Sequence, residues 1–191
     1  IQDPGQKYFK DHMIGAVFIP KIKVSVPVFD TTNTMLLDKG VTLLQGTSFP
    51  IGGKGTHAVF TGHSGLPDKK IFTDLEKLQK GDMFYINVSG KKLAYRIESF
   101  KKVLPDNIDD LTIEDNLDQV TLVTCTPYMV NTHRLLVTGV RVPYNEDEAR
   151  KSQKSIKDYQ TYRMIIFGIL VLLLALIVFY KVIRVLMGRL K

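Results

Sequence analysis

The run Met164 to Tyr180, MIIFGILVLLLALIVFY, holds 17 residues without a charge, close to the ~20 apolar residues needed to cross the hydrocarbon core of a bilayer. Thirteen of the 17 are Leu, Ile, Val or Phe, so insertion gains on the order of −5 kcal/mol before end effects. Val182, Ile183, Val185 and Leu186 prolong the run, and the reading is a transmembrane helix over 163–187 with a short basic tail, 188–191. A buried helix of a soluble domain is the alternative. Lys181, Arg184, Arg189 and Lys191 follow at once, and the positive-inside rule puts that end in the cytoplasm, with all that precedes the helix outside the cell.

The net charge of +7 has the same origin. Arg150 to Lys191 carries nine Lys/Arg against one acid, Asp158, whereas the other 149 residues carry 17 basic and 18 acidic side chains. A nucleic-acid partner would need the basic excess on the folded domain, so that class is excluded. The chain opens on Ile1, which is read as a start inside a longer precursor whose targeting segment has been removed. Its one cysteine cannot form an intramolecular disulfide, and an odd thiol outside the cell is a candidate for reactivity.

Residues 1–13, IQDPGQKYFKDHM, are polar and without sustained periodicity, and are read as an arm with a turn at Asp3-Pro4-Gly5. From Gly15 on, eight runs (AVFIP, KVSVPVF, VTLL, HAVFTG, MFYINV, KLAYRIESFKKVL, QVTLVTC, RLLVTGVRV) are short, rich in Val, Ile, Tyr, Phe and Thr, and bounded by Gly, Pro, Asn or Asp. They predict a mostly β domain over 14–144, a closed barrel or a sandwich. Helical spacing is confined to Asp68–Leu78 and Asp109–Leu117. Asn145 to Gln160 is charged and polar; the stretch 145–162 is expected to be a stalk, partly helical at most.

Cys125 ends the strand TLVTC just before Thr126-Pro127, and the proline stops that strand from continuing through a ladder. The sulfur is therefore expected at a strand end, either as a nucleophile or as inert packing. Among four histidines, His63 lies between glycines where the HAVFT strand ends, a setting that lets an imidazole project from a tight turn. His57 opens the same strand and reads as a surface or satisfied residue, and His12 lies in the arm. His133 and Arg134 are adjacent, so on a strand they face opposite ways. Arg134 shares its side with Leu136 and Thr138, the more polar face, and its guanidinium offers a planar set of donors to a developing oxyanion.

Thr61-Gly62-His63, then Thr121-Leu122-Val123-Thr124-Cys125, then Arg134 nine residues beyond the cysteine, resembles the sortases, with a complete match to TLxTC. The continuation to Val137 is similar to the pilin-polymerising class C branch and its usual TCTPYGINTHRLLV, with Met129 and Val130 here in place of Gly and Ile. The likeness runs from about Gly15 to Pro143 and includes Ile19-Pro20-Lys21-Ile22. It implies an eight-stranded sortase-type β-barrel with short helices that binds an LPXTG-like sorting signal of a pilin or surface protein. By analogy Cys125 forms the acyl-enzyme, His63 protonates the leaving amine and Arg134 holds the oxyanion. Thr124 and Thr126, flanking the nucleophile, are expected to bind substrate. A lysine amine of a pilin subunit or a cell-wall peptide amine then takes the acyl group. The setting implied is the membrane of a Gram-positive bacterium, with lipid around the helix.

No cofactor is implied, and one cysteine with scattered histidines lacks zinc-ligand spacing. The class C lid, an Asp-Pro-aromatic turn over the active site, would correspond to Asp3-Pro4-Gly5, where Gly5 supplies no ring; a plain flexible turn is the other reading. Tyr8 or Phe9 could stand in for the missing ring. Two rival functions remain, a thiol peptidase that releases its acyl group to water and an inactive barrel that only binds.

Overall fold

The structure, a computed structural model, describes residues 5–64 and 71–189. In chain order the elements are α1 (Gly5–His12), β1 (Met13–Ile19), β2 (Val24–Phe29), α2 (Thr34–Leu37), β3 (Val41–Leu43), β4 (Thr56–Thr61), β5 (Met83–Val88), β6 (Lys91–Val103), β7 (Asp118–Thr126), β8 (His133–Val142) and α3 (Glu146–Arg189). The eight strands are the eight apolar runs of the sequence. They close into a barrel in the order β1-β2-β3-β4-β7-β8-β6-β5.

Strand alternation fills the barrel. Ala58 and Phe60 of β4, Val120 and Leu122 of β7, and Leu135 and Val137 of β8 join Val17, Phe84, Tyr95 and Ile97 in one buried cluster. The intervening residues of each strand face outward. Ser89 and Gly90, both at positive φ (49° and 76°), form the two-residue turn between β5 and β6 that matches the twist of a hairpin. Two pairings are parallel, β2 with β3 and β4 with β7. Because β4 and β7 run the same way and β8 runs against β7, the ends of β4 and β7 and the start of β8 meet at one rim.

Three local expectations change. The arm is helical from Gly5: Phe9 meets Phe29 edge-on at 6.4 Å, Tyr8 meets the His12 ring at 4.5 Å, and His12 Nδ1 lies 2.7 Å from Asp30 Oδ1. Tertiary contacts of adjacent aromatics thus hold a helix that periodicity did not announce. The 145–160 stretch is helical from Glu146 on, because Asn145 Oδ1 accepts from the N–H groups of Asp147 (3.0 Å) and Glu148 (3.3 Å) and three acids occupy the first turn. Ala149 is buried against Tyr85 and Ala94, and Lys92 Nζ pairs with Glu146 Oε1 at 2.7 Å. Of Asp68–Leu78, residues 68–70 lie outside the described ones, and Leu75–Lys77 is a single 3-10 turn; Ile71, Leu75 and Leu78 are buried all the same. Asp109–Leu111 forms one short turn, as its pattern allowed.

The chain divides into two compact units, Ile1–Gln153 and Lys154–Lys191. In the second, the side chains from Met164 to Ile177 are exposed. The helix that contains them has an 18-residue window of mean hydropathy 2.1, none of it buried, and is long and apolar enough to cross a membrane.

Candidate active site

The rim where β4, β7 and β8 meet collects the chemistry-bearing residues. In the β4–β7 ladder Thr61 stands opposite Val123; His63 follows two residues after Thr61, just past the end of β4, and Cys125 two residues after Val123, still within β7. Gly62 N–H donates to Val123 O at 3.1 Å, Thr124 Oγ1 donates to Gly62 O at 2.8 Å, and Ser64 Oγ donates to Cys125 O at 2.8 Å. Phe72 N–H closes on His63 O at 3.0 Å. Gly62 is required by space rather than by φ: a Cβ there would lie 2.7 Å from the Phe72 ring.

Cys125 is free and half-buried. Directly across the β7–β8 ladder from it is Arg134, and cross-strand neighbours hold their Cβ atoms ~4.5–5.5 Å apart. The Arg134 guanidinium is held by main-chain carbonyls, Nη1 donating to Asn131 O (3.3 Å) and His133 O (3.2 Å). No carboxylate pairs with it among the described residues, which leaves donors for an incoming oxygen. His133 faces the other way, its Nδ1 3.0 Å from Thr132 Oγ1.

Thr124 and Thr126 are not on the Cys125 face. The alternation that places Cys125 outward turns both threonines inward, to 4% and 1% exposure. Thr124 Oγ1 is committed to Gly62 O, and Thr126 Oγ1 donates to Glu76 Oε1 at 2.5 Å. Their side chains brace the rim and point inward, away from the face on which substrate contact was expected.

Asp3 and Pro4 lie outside the described residues, and Gly5, at φ 71°, starts α1. The rings that could replace the missing lid aromatic are occupied elsewhere. The Tyr8 hydroxyl accepts from Asn33 Nδ2 at 3.0 Å, and Phe9 packs on Phe29 beneath Lys39 Nζ, 5.5 Å from its centroid.

One residue enters that the sequence did not single out for the site. Asp38, just past α2, places Oδ1 3.6 Å from His63 Nε2; it is 25 positions away in sequence and no local pattern marks it. His57 is a satisfied residue, 2% exposed, with Nδ1 2.8 Å from Thr112 O and Nε2 2.7 Å from Thr121 Oγ1. It pins the segment between β6 and β7 to the outer face of β4 and β7. Beyond Cys125, the β7–β8 loop projects Tyr128, Met129 and Val130 into solvent, Met129 being 75% exposed. No group of three or more His, Cys, Asp or Glu suited to a metal ion occurs among the described residues.

Comparison with known proteins gives one family. The model of the sortase domain matches residues 17–142, more than half of the chain. Sortase C1 of Streptococcus agalactiae, solved as a complex with MTSET, is 48% identical with a TM-score of 0.70 over 71% of this chain and 72% of that one. A pilus-related sortase C of Group B Streptococcus is 50% identical, TM-score 0.68, over 70% of this chain and 69% of that one. By sequence, a sortase A of Bacillus anthracis is 28% identical over 131 residues, 68% of this chain; the chain spans 60% of that protein's length.

Proposed function

This chain belongs to the sortase family, and we propose that it is a membrane-anchored cysteine transpeptidase that cleaves an LPXTG-like sorting signal and passes the acyl group to an amine. The observation that carries the reading is the rim geometry: Cys125 directly across the ladder from Arg134, with His63 following the end of β4 at the same rim, where Gly62 N–H bonds Val123 O and Ser64 Oγ bonds Cys125 O. Nucleophile, proton carrier and oxyanion donor then share one face.

In this reading the Cys125 sulfur attacks the carbonyl carbon after the signal's threonine, and its proton passes to His63. The Arg134 guanidinium donates to the oxygen as it gains negative charge. Collapse breaks the C–N bond, and the departing amine takes the proton from His63, leaving a thioester on Cys125. An acceptor amine attacks that thioester and gives its proton to His63; the sulfur leaves as the new amide forms. The acceptor is a lysine of a pilin subunit or a cell-wall peptide amine, and the likeness to a pilus-related sortase C supports the pilin. The apolar stretch of α3 would sit in lipid with the barrel outside the cell and the C-terminus in the cytoplasm, the surface of a Gram-positive bacterium.

The test is turnover of an LPXTG-type peptide with and without a lysine-bearing acceptor or hydroxylamine. A transpeptidase whose resolution step limits turnover is sharply accelerated, and the acceptor appears in the product. Turnover indifferent to the amine, with only the free acid released, would instead make the chain a thiol peptidase. No turnover at all would make it a binding barrel.

A further inference from the structure

We propose that Asp38 is a positioning residue that fixes the tautomer of His63, and that α1 sets Asp38's place; this rests on the reading of His63 as the proton carrier. Asp38 Oδ1 stands 3.6 Å from His63 Nε2, slightly beyond hydrogen-bond length. Catalytic contacts are commonly long in the free state and tighten when substrate is bound. A carboxylate on that side favours the neutral tautomer with the proton on Nε2, and leaves the Nδ1 lone pair for the chemistry. The Cys125 thiol proton then goes to Nδ1, the sulfur keeps the electron pair, and Nδ1 later delivers that proton to the leaving amine. While the ring carries both protons, Asp38 balances its charge.

The backbone that carries Asp38 is well held. Asn33 caps α2 by accepting from Leu36 N–H at 3.0 Å, and Leu36 is fully buried. Asp38 N–H donates to Thr34 O at 3.0 Å. The arm clasps this turn on two sides, through the Asn33–Tyr8 hydrogen bond (3.0 Å) and through Lys39 over the Phe9 ring. The helical arm therefore acts beside the histidine, by supporting the carboxylate next to it. The side chains of His63 and Asp38 are 35% and 50% exposed, so water screens the pair and the expected effect on rate is modest.

The experiment uses the full chain in detergent, with His63 identified in long-range ¹H–¹⁵N spectra by the resonance lost in H63A. Wild type shows His63 protonated on Nε2. D38N shifts it toward a mixture of tautomers, lowers kcat for an LPXTG-type peptide by about two- to fivefold and leaves KM unchanged; D38E recovers both readouts. Y8F, which removes one clasp, moves the tautomer the same way by less. Unchanged tautomer and kcat in D38N would overturn the role of Asp38, and an unchanged Y8F spectrum would overturn that of the arm. If wild type forms no acyl-enzyme on Cys125, the reading of the site fails; if it does while D38N matches wild type, only the present proposal fails.

Discussion

The strands β4, β7 and β8 have two ends built in opposite ways. At the end away from Cys125, Asp118, Tyr95 and Arg141 are tied to one another and to the backbone, and among the described residues the Gln119 side-chain oxygen is left buried without a partner. Asp118 accepts from Gly53 N–H at 2.7 Å and from the Tyr95 hydroxyl at 2.9 Å, and Arg141 lies over the Tyr95 ring, 5.7 Å from its centroid. Positive φ at that end falls on Gly52, Gly53 and Gly55, where it carries no Cβ penalty. At the Cys125 end a guanidinium is held, among the described residues, by carbonyls alone, a thiol is half open, and positive φ falls on Met129 (67°) and Asn131 (60°). One end spends its polar groups on stability, and the other keeps them available for a reacting molecule.

Exchanging arginine for lysine at each end breaks the comparison most directly. Arg134→Lys keeps the charge but loses the planar donor set, and should lower turnover by about a hundred- to a thousandfold with little change in melting temperature. His133→Ala, on the opposite face, should be far milder. Arg141→Lys should leave turnover within about twofold and cost about 0.5–1 kcal/mol of stability through the weakened contact with Tyr95. Equal kinetic losses at the two ends would show that the rim has no special role.

Asp118→Ala comes next. It strands the Tyr95 hydroxyl and the Gly53 N–H, a loss of about 1–3 kcal/mol in denaturant unfolding, with kcat retained. A variant as stable as wild type would mean that the Asp118 contacts contribute nothing.

The same end should respond to alkali. Burial, and after it Asp118, pushes the Tyr95 hydroxyl above its ordinary range near 10. A group whose proton is held more tightly in the folded state contributes stability that is complete below about pH 10. Above that the unfolded chain gives up the proton first, and stability falls by about 1.4 kcal/mol per pH unit until the folded protein ionises too. Urea titrations from pH 9 to 11 should show this slope in wild type and a shallower one in Tyr95→Phe; equal slopes would remove Tyr95 as its source.

The smallest effect belongs to the β7–β8 loop. Met129→Gly relieves a left-handed backbone but adds freedom to the unfolded chain, for a net gain of about 0.5 kcal/mol. A loss of stability in thermal unfolding would mean that the methionine side chain packs on something the isolated chain needs.

Much of this architecture was legible because β-strands alternate. The eight apolar runs mark the strands, and period-two alternation separates Arg134 from His133, in agreement with Leu135 and Val137 entering the core. The same rule applied one residue either side of Cys125 turns Thr124 and Thr126 inward, where adjacency to the nucleophile had suggested substrate contact. The helical start of α3 was written in Asn145 and the acids that follow it, but polar composition masked the cap. The helix of residues 5–12 and the approach of Asp38 to His63 depend on contacts between segments far apart in sequence. No local periodicity encodes these.

The central claim, that Cys125 carries the acyl group, is tested most directly by intact mass measurement of the full chain after incubation with an LPXTG-type peptide. The account predicts a wild-type adduct equal to the peptide up to its threonine, less one water, which disappears on adding a lysine-bearing acceptor and is absent from Cys125→Ala. An adduct of the same mass on Cys125→Ala, or continued joining of peptide to acceptor by that variant, would contradict it.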